Sequence, residues 1–328
     1  MPVQIAHMLL LAVVTGNGPG YYNSGRFYRR SVPLRDILRH LDSRGYKKRV
    51  DELNHPDYHK LSQHKLAEKG LLKLLGFPVT RFIAYFHPRS GRSATGQPVT
   101  TAQELEQLLL EDSADRICFK QPEGWAGHGF RAADVVRSAN SVKLQMMGAT
   151  GASCSVEELL QTGIGNHGVL IEEFLEQHPA LSKIYPSSVN TYRVWVKVGT
   201  DGVSRPLMGF FRLGRSGSIV DNQSSGGILS LIDIDSGVVG TATDGMPDHE
   251  DFDCHPDTGE QITGFALPFW EEAKATACAA VAAFPKLRFA GVDIAIAASG
   301  PYVIELNVSP DREGAALMRI PSRNFMED

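Results

Sequence analysis

Apolar positions recur at helical spacing in the first third of the chain and alternate with polar ones over much of the rest. From His64 to Leu75, Leu66, Leu71, Leu72, Leu74 and Leu75 fall near a 3.6-residue period, and Gly76 and Pro78 close the segment, so the pattern predicts a helix. Thr101 with Glu104 three residues on forms a capping box ahead of Leu105, Leu108 and Leu109 and starts a second helix. Ile5 to Val14 is apolar apart from His7. It is too short to cross a bilayer, and no Lys or Arg precedes it, so it reads as a buried N-terminal helix or strand and not as an export signal. After the glycine-rich break at residues 16–20, Tyr21 to Lys48 carries Arg26, Arg29, Arg30, Arg35, Arg39 and Arg44, and is read as a solvated basic helix in preference to an anion site.

The period changes at Arg116. Arg116 to Gln121 and Phe130 to Val136 read as strands around a loop punctuated by Gly124, Gly127 and Gly129. Ser155 with Glu158 caps a short helix, and Val169 to Phe174 is a strand ending in Glu172 and Glu173. Val189 to Val198 alternates, with Val194, Val196 and Val198 on one face and Arg193, Trp195 and Lys197 on the other. Strands follow at Leu207–Leu213 and Ile228–Ile234, an Ala-rich helix begins at Pro268, and two short strands close the chain.

Those last strands, 291–296 and 302–308, read as a hairpin. Val292, Ile294 and Ile296 are expected to share a face with Tyr302, Ile304, Leu306 and Val308, leaving Asp293, Glu305 and Asn307 on the other. Two carboxylates about 5 Å apart would repel. A hard divalent cation removes that repulsion, and Mg²⁺ suits oxygen donors of this kind, so Asp293, Glu305 and Asn307 are the candidate metal ligands.

Composition narrows the functions. The 328 residues are 42% hydrophobic and 21% charged, with a net charge of -4 at pH 7, which is no footprint for a nucleic-acid or polybasic membrane binder. Phosphate binding would have to come from a local site, and Lys120, on a strand just before the glycine loop, offers one: glycines free backbone N–H groups toward an anion and the ammonium adds a point charge. The cysteines, Cys118, Cys154, Cys254 and Cys278, form no CxxC pair and fit a reducing, cytoplasmic location.

Taken in order, Lys65, Lys120 before the glycine loop, the strand end at Glu172 to Leu175, Asp293, and Glu305-Leu306-Asn307 resemble the ATP-grasp superfamily over about Lys65 to Pro310. The segment from Gln177-His178-Pro179 to Arg193 looks most like its sugar-transfer-associated subfamily, whose members tend to go with surface-polysaccharide genes. The resemblance implies an α+β, ATP-grasp fold that holds a nucleotide between a small lid subdomain and a C-terminal antiparallel-sheet catalytic subdomain. The expected division is an N-terminal helical or irregular segment at 1–63, a helical lead-in at 64–113, the lid with its glycine loop at 114–175 and the catalytic part with the metal site at 176–328. It further implies ATP and Mg²⁺ as cofactors. Lys65 and Lys120 would contact phosphates under a loop containing Gly124, Gly127 and Gly129. Glu172, Glu173, Phe174 and Leu175 would form the hinge at adenine. Arg193 and Arg212 would face the γ-phosphate and acceptor carboxylate, within a phosphate-facing segment that includes Asn222. The short N-terminal part lacks the family's usual βαβ pattern, and the acid expected at the ribose is displaced, leaving Gln177, His178 or Lys183 as substitutes.

No Ser/His/Asp or Cys/His signature accompanies these residues. That agrees with the reaction the resemblance implies, ATP-driven activation of a small carboxylate as an acyl phosphate, captured by an amine, with charge neutralisation and positioning as the protein's contribution. The alternatives are an ATP-grasp kinase acting on a sugar-like hydroxyl and a nucleotide-binding protein without turnover.

Overall fold

The computed structural model describes residues 2–123, 127, 129–148, 151–245 and 250–327. Its strands form two seven-stranded antiparallel sheets. The first, ordered β2-β1-β7-β3-β4-β5-β6, uses β1 (Phe82–Phe86), β2 (Arg92–Ser93), β3 (Arg116–Lys120), β4 (Arg131–Arg137), β5 (Val142–Met146), β6 (Ser153–Ser155) and β7 (Val169–Glu173). The second, ordered β12-β11-β10-β9-β8-β13-β14, uses β8 (Thr191–Val198), β9 (Ser204–Leu213), β10 (Ile228–Ile232), β11 (Val239–Thr243), β12 (Asp251–Phe252), β13 (Phe289–Ala297) and β14 (Gly300–Asn307). The helices are α1 (Pro2–Thr15), α2 (Pro19–Ser24), α3 (Leu34–Ile37), α4 (Ser43–Leu53), α5 (His59–Gln63), α6 (Lys65–Leu74), α7 (Ala102–Glu111), α8 (Val156–Leu159), α9 (Pro179–Ile184), α10 (Trp270–Ala282), α11 (Glu313–Met318) and α12 (Arg323–Met326). This is the expected α+β class. None of the described helices is long and apolar enough to cross a membrane.

Local chemistry sets the helix starts. Both capping boxes form: Thr101 and Ser155 accept from the N–H groups of Glu104 and Glu158, whose carboxylates reach back to the cap N–H groups. The first sheet packs Ile117, Phe119, Ala133 and Ile171 against Leu105 and Leu109 of α7. Residues 64–113, expected as a helical lead-in, contain two strands of this sheet besides α6 and α7.

The second sheet is covered on both faces, as the burial of every residue of β13 requires. One face, with Val194, Val196, Phe211, Val292 and Ile294, meets Ala273, Ala277 and Ala280 of α10. The other, with Trp195, Phe210 and Phe289, meets Tyr46, Val50 and Leu53 of α4 and Phe325 and Met326 of α12. Gly314 lets α11 lie directly on this face, since a Cβ there would come within 2.7 Å of the Trp195 ring.

Three expectations change. α1 is a helix but not a buried one: Leu11 is its buried apolar residue, whereas Val13 is 85% exposed. Tyr21 to Lys48 is not one solvated helix; it contributes Tyr21, Tyr22, Phe27, Ile37 and Tyr46 to the interior, and Arg26 and His40 are buried with them. In the C-terminal hairpin, Asp293 does lie opposite Glu305 and Gly291 opposite Asn307, but Ile294 pairs with Val303. Ile304 is thus a bulge residue that reverses side-chain parity, so Val303 takes the core place expected for Tyr302 and Ile304.

Asn54 pins the N-terminal segment to the second sheet. Fully buried, it donates through Nδ2 to the carbonyls of Phe289 and Val308 and accepts at Oδ1 from the N–H groups of Arg288 and Phe289. Asn54→Ala strands these buried groups and should lower the free energy of unfolding by about 3 kcal/mol, read as a fall in the urea midpoint.

Candidate functional site

α6 turns a polar stripe inward. Its buried residues are Glu68, Lys69 and Leu72, while Leu71, Leu74 and Leu75, whose spacing predicts the helix, are exposed. Lys65 lies on the same stripe, one turn before Glu68 and Lys69. His64 caps the helix by accepting from Ala67 N–H, and the Lys65 N–H donates to the Pro122 carbonyl, tying α6 to the end of β3.

The centre of this wall is Glu172. Its carboxylate is inaccessible to solvent and meets Lys69 Nζ at 2.7 Å and Lys120 Nζ at 2.8 Å, while Thr80 Oγ1 donates to it at 2.8 Å. Burial alone would raise Glu172, but Lys120 and then Lys69 reverse this and bring it down to about 2. One carboxylate cannot serve two ammoniums equally. Burial lowers both lysines; Glu172 more than restores Lys120, which ends above its ordinary value, whereas Lys69 ends below. Glu68 sits beside them, pushed well above the carboxylate range by burial and then by Glu305; one oxygen accepts from Leu306 N–H and the other has no hydrogen-bond partner among the described residues.

The opposite wall is the second sheet. Arg193 grips Asp293 with two hydrogen bonds of 2.6 Å, and Arg212 adds a third at 3.0 Å. Burial would raise Asp293, but Arg193 and then Arg212 outweigh it and hold the acid below its ordinary range. Arg212 also meets Asp221 at 3.2 Å, and Asp221 accepts from the Thr191 N–H and hydroxyl. Glu305 pairs with Lys65 at 3.1 Å, and Asn307 Nδ2 donates to the Gly291 carbonyl at 3.4 Å.

The donor set suits Mg²⁺: Asp293 and Glu305 face each other in register, Asn307 stands beside them, and all offer hard oxygen. No three His, Cys, Asp or Glu side chains gather as a metal site among the described residues, so a cation here would need the Asn307 amide oxygen or ligand oxygens. The present partners of the two acids are cations, Lys65, Arg193 and Arg212, in places a divalent ion could take over.

Most predicted residues meet in one cleft between the sheets. Lys65, Lys120, Gly127, Glu172, Glu173, Phe174, Leu175, Arg212, Asn222, Asp293 and Glu305 line a space of about 1190 Å³, mouth included. Arg193 and Asn307 line a second cavity beside it. Gly129 does not reach the lining; its φ of 73° and close approach to Gln121 give it a turn role. Gly124 lies outside the described residues. At Gly127 the loop approaches Asn222, whose Oδ1 a Cβ would meet at 3.1 Å. In the hinge, Glu173 N–H already donates to Arg81 and Phe174 N–H to Arg116, leaving Phe174 and Leu175 as walls of the cleft. The ribose substitutes have other work: Gln177 bonds the Tyr185 and Ser188 carbonyls, His178 caps α9, and Lys183 pairs with Glu260. Lys69 and Glu68 went unrecognised, whereas Asp221 falls within the expected phosphate-facing segment. The first two sit four and three residues beyond Lys65, spacing that would have put them on its face.

A family model for sugar-transfer associated ATP-grasp proteins matches residues 45–321. No curated protein matches the chain. Solved structures similar to it include Staphylococcus aureus N5-carboxyaminoimidazole synthetase complexed with ADP, 14% identical over 77% of this chain and 46% of that one, at a TM-score of 0.42. Others are Vibrio cholerae D-alanyl-alanine synthetase A, at 12%, 81%, 62% and 0.44, and a Campylobacter jejuni biotin carboxylase complex, at 14%, 80%, 47% and 0.43. The chain thus spans roughly half the length of the structures it resembles.

The Glu172 cluster has a pH signature. Its folded value lies below the ordinary 4.5, so the stability it contributes is present above pH 4.5 and is lost as pH falls toward about 2. Glu172→Gln should flatten that acid limb in unfolding curves measured between pH 5 and pH 2, and should cost about 3 kcal/mol at pH 7 by leaving two buried ammoniums without their carboxylate.

Proposed function

The chain belongs to the sugar-transfer associated ATP-grasp family, and from that membership we propose that it is an ATP- and Mg²⁺-dependent ligase that activates a carboxylate as an acyl phosphate and joins it to an amine, releasing ADP and phosphate. The observation that carries this reading is the second cavity, about 1310 Å³ with its mouth included, which shares Arg212, Asp221, Asn222 and Glu305 with the cleft. Arginines stand at the boundary, where an acceptor carboxylate and a terminal phosphate would meet. Acids, Asp311 and Glu313, line the wall beyond, where an ammonium would enter.

Mg²⁺, held by Asp293, Glu305 and Asn307, would supply charge neutralisation at the phosphates. As those acids change partner, Lys65, Arg193 and Arg212 are released toward phosphate and carboxylate oxygens, with Lys120 held ready by Glu172 and the base against Phe174 and Leu175. A carboxylate oxygen of the substrate attacks the γ-phosphorus and ADP leaves. The amine nitrogen then attacks the acyl carbon, and phosphate departs with that oxygen. Burial and then a hydrogen bond with Asp311 push Glu313 up to about 7, so near neutral pH it can take the proton that an attacking ammonium must lose. No side chain needs to attack: burial pushes Cys118, the thiol lining the cleft, up to about 11, and it stays protonated. A kinase would use the same cleft on a sugar-like hydroxyl, but such an acceptor carries no charge to match either the arginines or the acid wall.

Hydroxylamine as a surrogate amine, offered with a panel of sugar and amino acids, should yield a hydroxamate and ADP. With the acid so identified, labelled with oxygen-18 in its carboxylate, one label should appear in released phosphate; label kept wholly in a stable phosphoester, with no free phosphate, would make the chain a kinase. Glu305→Gln should cut Mg²⁺-dependent ATP turnover at least about 100-fold with little change in the unfolding midpoint, because Glu305 is partly exposed and its one ion pair among the described residues is with Lys65. Asp293→Asn is the poorer probe, since it also strands two arginines.

A further inference from the structure

Cross-strand register lines up a third cavity with the first two. On one face of the second sheet Asp293 lies opposite Arg193, Arg193 opposite Phe210, and Phe210 opposite Leu231. One pair further along, Arg212 lies opposite Leu229, Leu229 opposite Thr243, and Thr243 opposite Asp251. At about 4.8 Å per strand, Thr243 is about 10 Å and Asp251 about 14 Å beyond Arg212. There a cavity of about 680 Å³, mouth included, is lined by Arg26, Arg29, Arg319, Asp251, Thr241 and Thr243, and it adjoins the second cavity at Leu229 and Leu317.

The arginines come from distant parts of the chain and converge. Arg26 is 6% exposed, grips Asp251 with two hydrogen bonds and donates to Thr243 Oγ1 at 3.2 Å. Arg29 lies 3.7 Å from the same carboxylate. Arg319 has no ion pair among the described residues, and burial, then Arg29 and Arg26, hold it below its ordinary value. The backbone is bent to bring them there: Arg26 at φ 50° and Arg319 at φ 54° are both left-handed, a conformation that costs a long side chain about 1 kcal/mol. Asp251 is the one acid among the described lining residues and faces three guanidinium groups, so the cavity carries surplus positive charge. Guanidinium forks beside threonine hydroxyls suit the several oxygens of a phosphate monoester.

We infer that this third cavity binds a phosphate group carried at the far end of an elongate acceptor, whose reacting end lies at Arg193 and Arg212. The acceptor part of this inference rests on the proposed ligase reading; the phosphate site does not. The residues between 21 and 48 then have a role that their basic composition left open: with α11 they build the distal end of the substrate channel.

Calorimetric titration of the full chain without nucleotide tests this, using glucose 1-phosphate as a phosphoester probe and inorganic phosphate as the free ion. Wild type and Lys120→Ala should bind the ester at least tenfold more tightly than the Arg29→Gln/Arg319→Gln double variant, and more tightly than they bind inorganic phosphate. Both arginines are exposed at their outer ends, so an unchanged unfolding midpoint should accompany the loss. No binding by wild type, or loss in Lys120→Ala with full binding in the arginine variant, overturns the site. Equal affinity for ester and free phosphate overturns its assignment to an acceptor. The titrations need no turnover, so ester binding through the arginines in a chain that yields neither hydroxamate nor labelled phosphate would overturn the ligase reading and leave the phosphate site standing.

Discussion

A charge taken out of water must meet its opposite, and in this protein that requirement joins elements far apart in the chain. Lys69 on α6 and Lys120 on β3 converge on Glu172 of β7; Arg193 of β8 and Arg212 of β9 converge on Asp293 of β13; Lys65 reaches Glu305 of β14. Each pair crosses between elements, so the cleft is held in shape by the groups that give it chemical character. Apolar cores on the far faces of the same strands hold the sheets that carry these side chains. Satisfying the charges and building the site are one event.

The same pairing explains why the cleft can be polar without collapsing or swelling. Acids that would repel one another when alone are spaced by guanidinium and ammonium groups, and an incoming polyanion with its cation finds both signs already arranged. Exchange of partners then requires little movement. The partners themselves differ in exposure: Glu305 and Lys65 are partly open to solvent, while Glu172 is sealed against it and belongs to the frame.

What was legible in the sequence was local. The capping boxes at Thr101 and Ser155, the helix from Lys65 and the facing pair Asp293 and Glu305 each depend on a few neighbouring residues, and all appear as read. What was hidden depended on partners elsewhere. The leucines of α6 mark a helix but not its inward side, because the face that packs is chosen by Glu172 and Glu305, which are far off in sequence. The bulge at Ile304 leaves no signature in an apolar run, yet it decides which of Val303 and Ile304 enters the core. Arg26 looked like one basic residue among many; only the arrival of Asp251 distinguishes it.

Asn54 has a consequence for the order in which the molecule can assemble. Its hydrogen bonds reach residues more than 230 positions later, so closing them carries the entropy of an almost chain-long loop. The segment around Asn54 cannot complete these bonds until β13 and the end of the C-terminal hairpin are in place. The first sheet, whose strands all lie between residues 82 and 173, needs no such delay. Folding can therefore pass through a state in which the first sheet is formed while Asn54 is still undocked from the second.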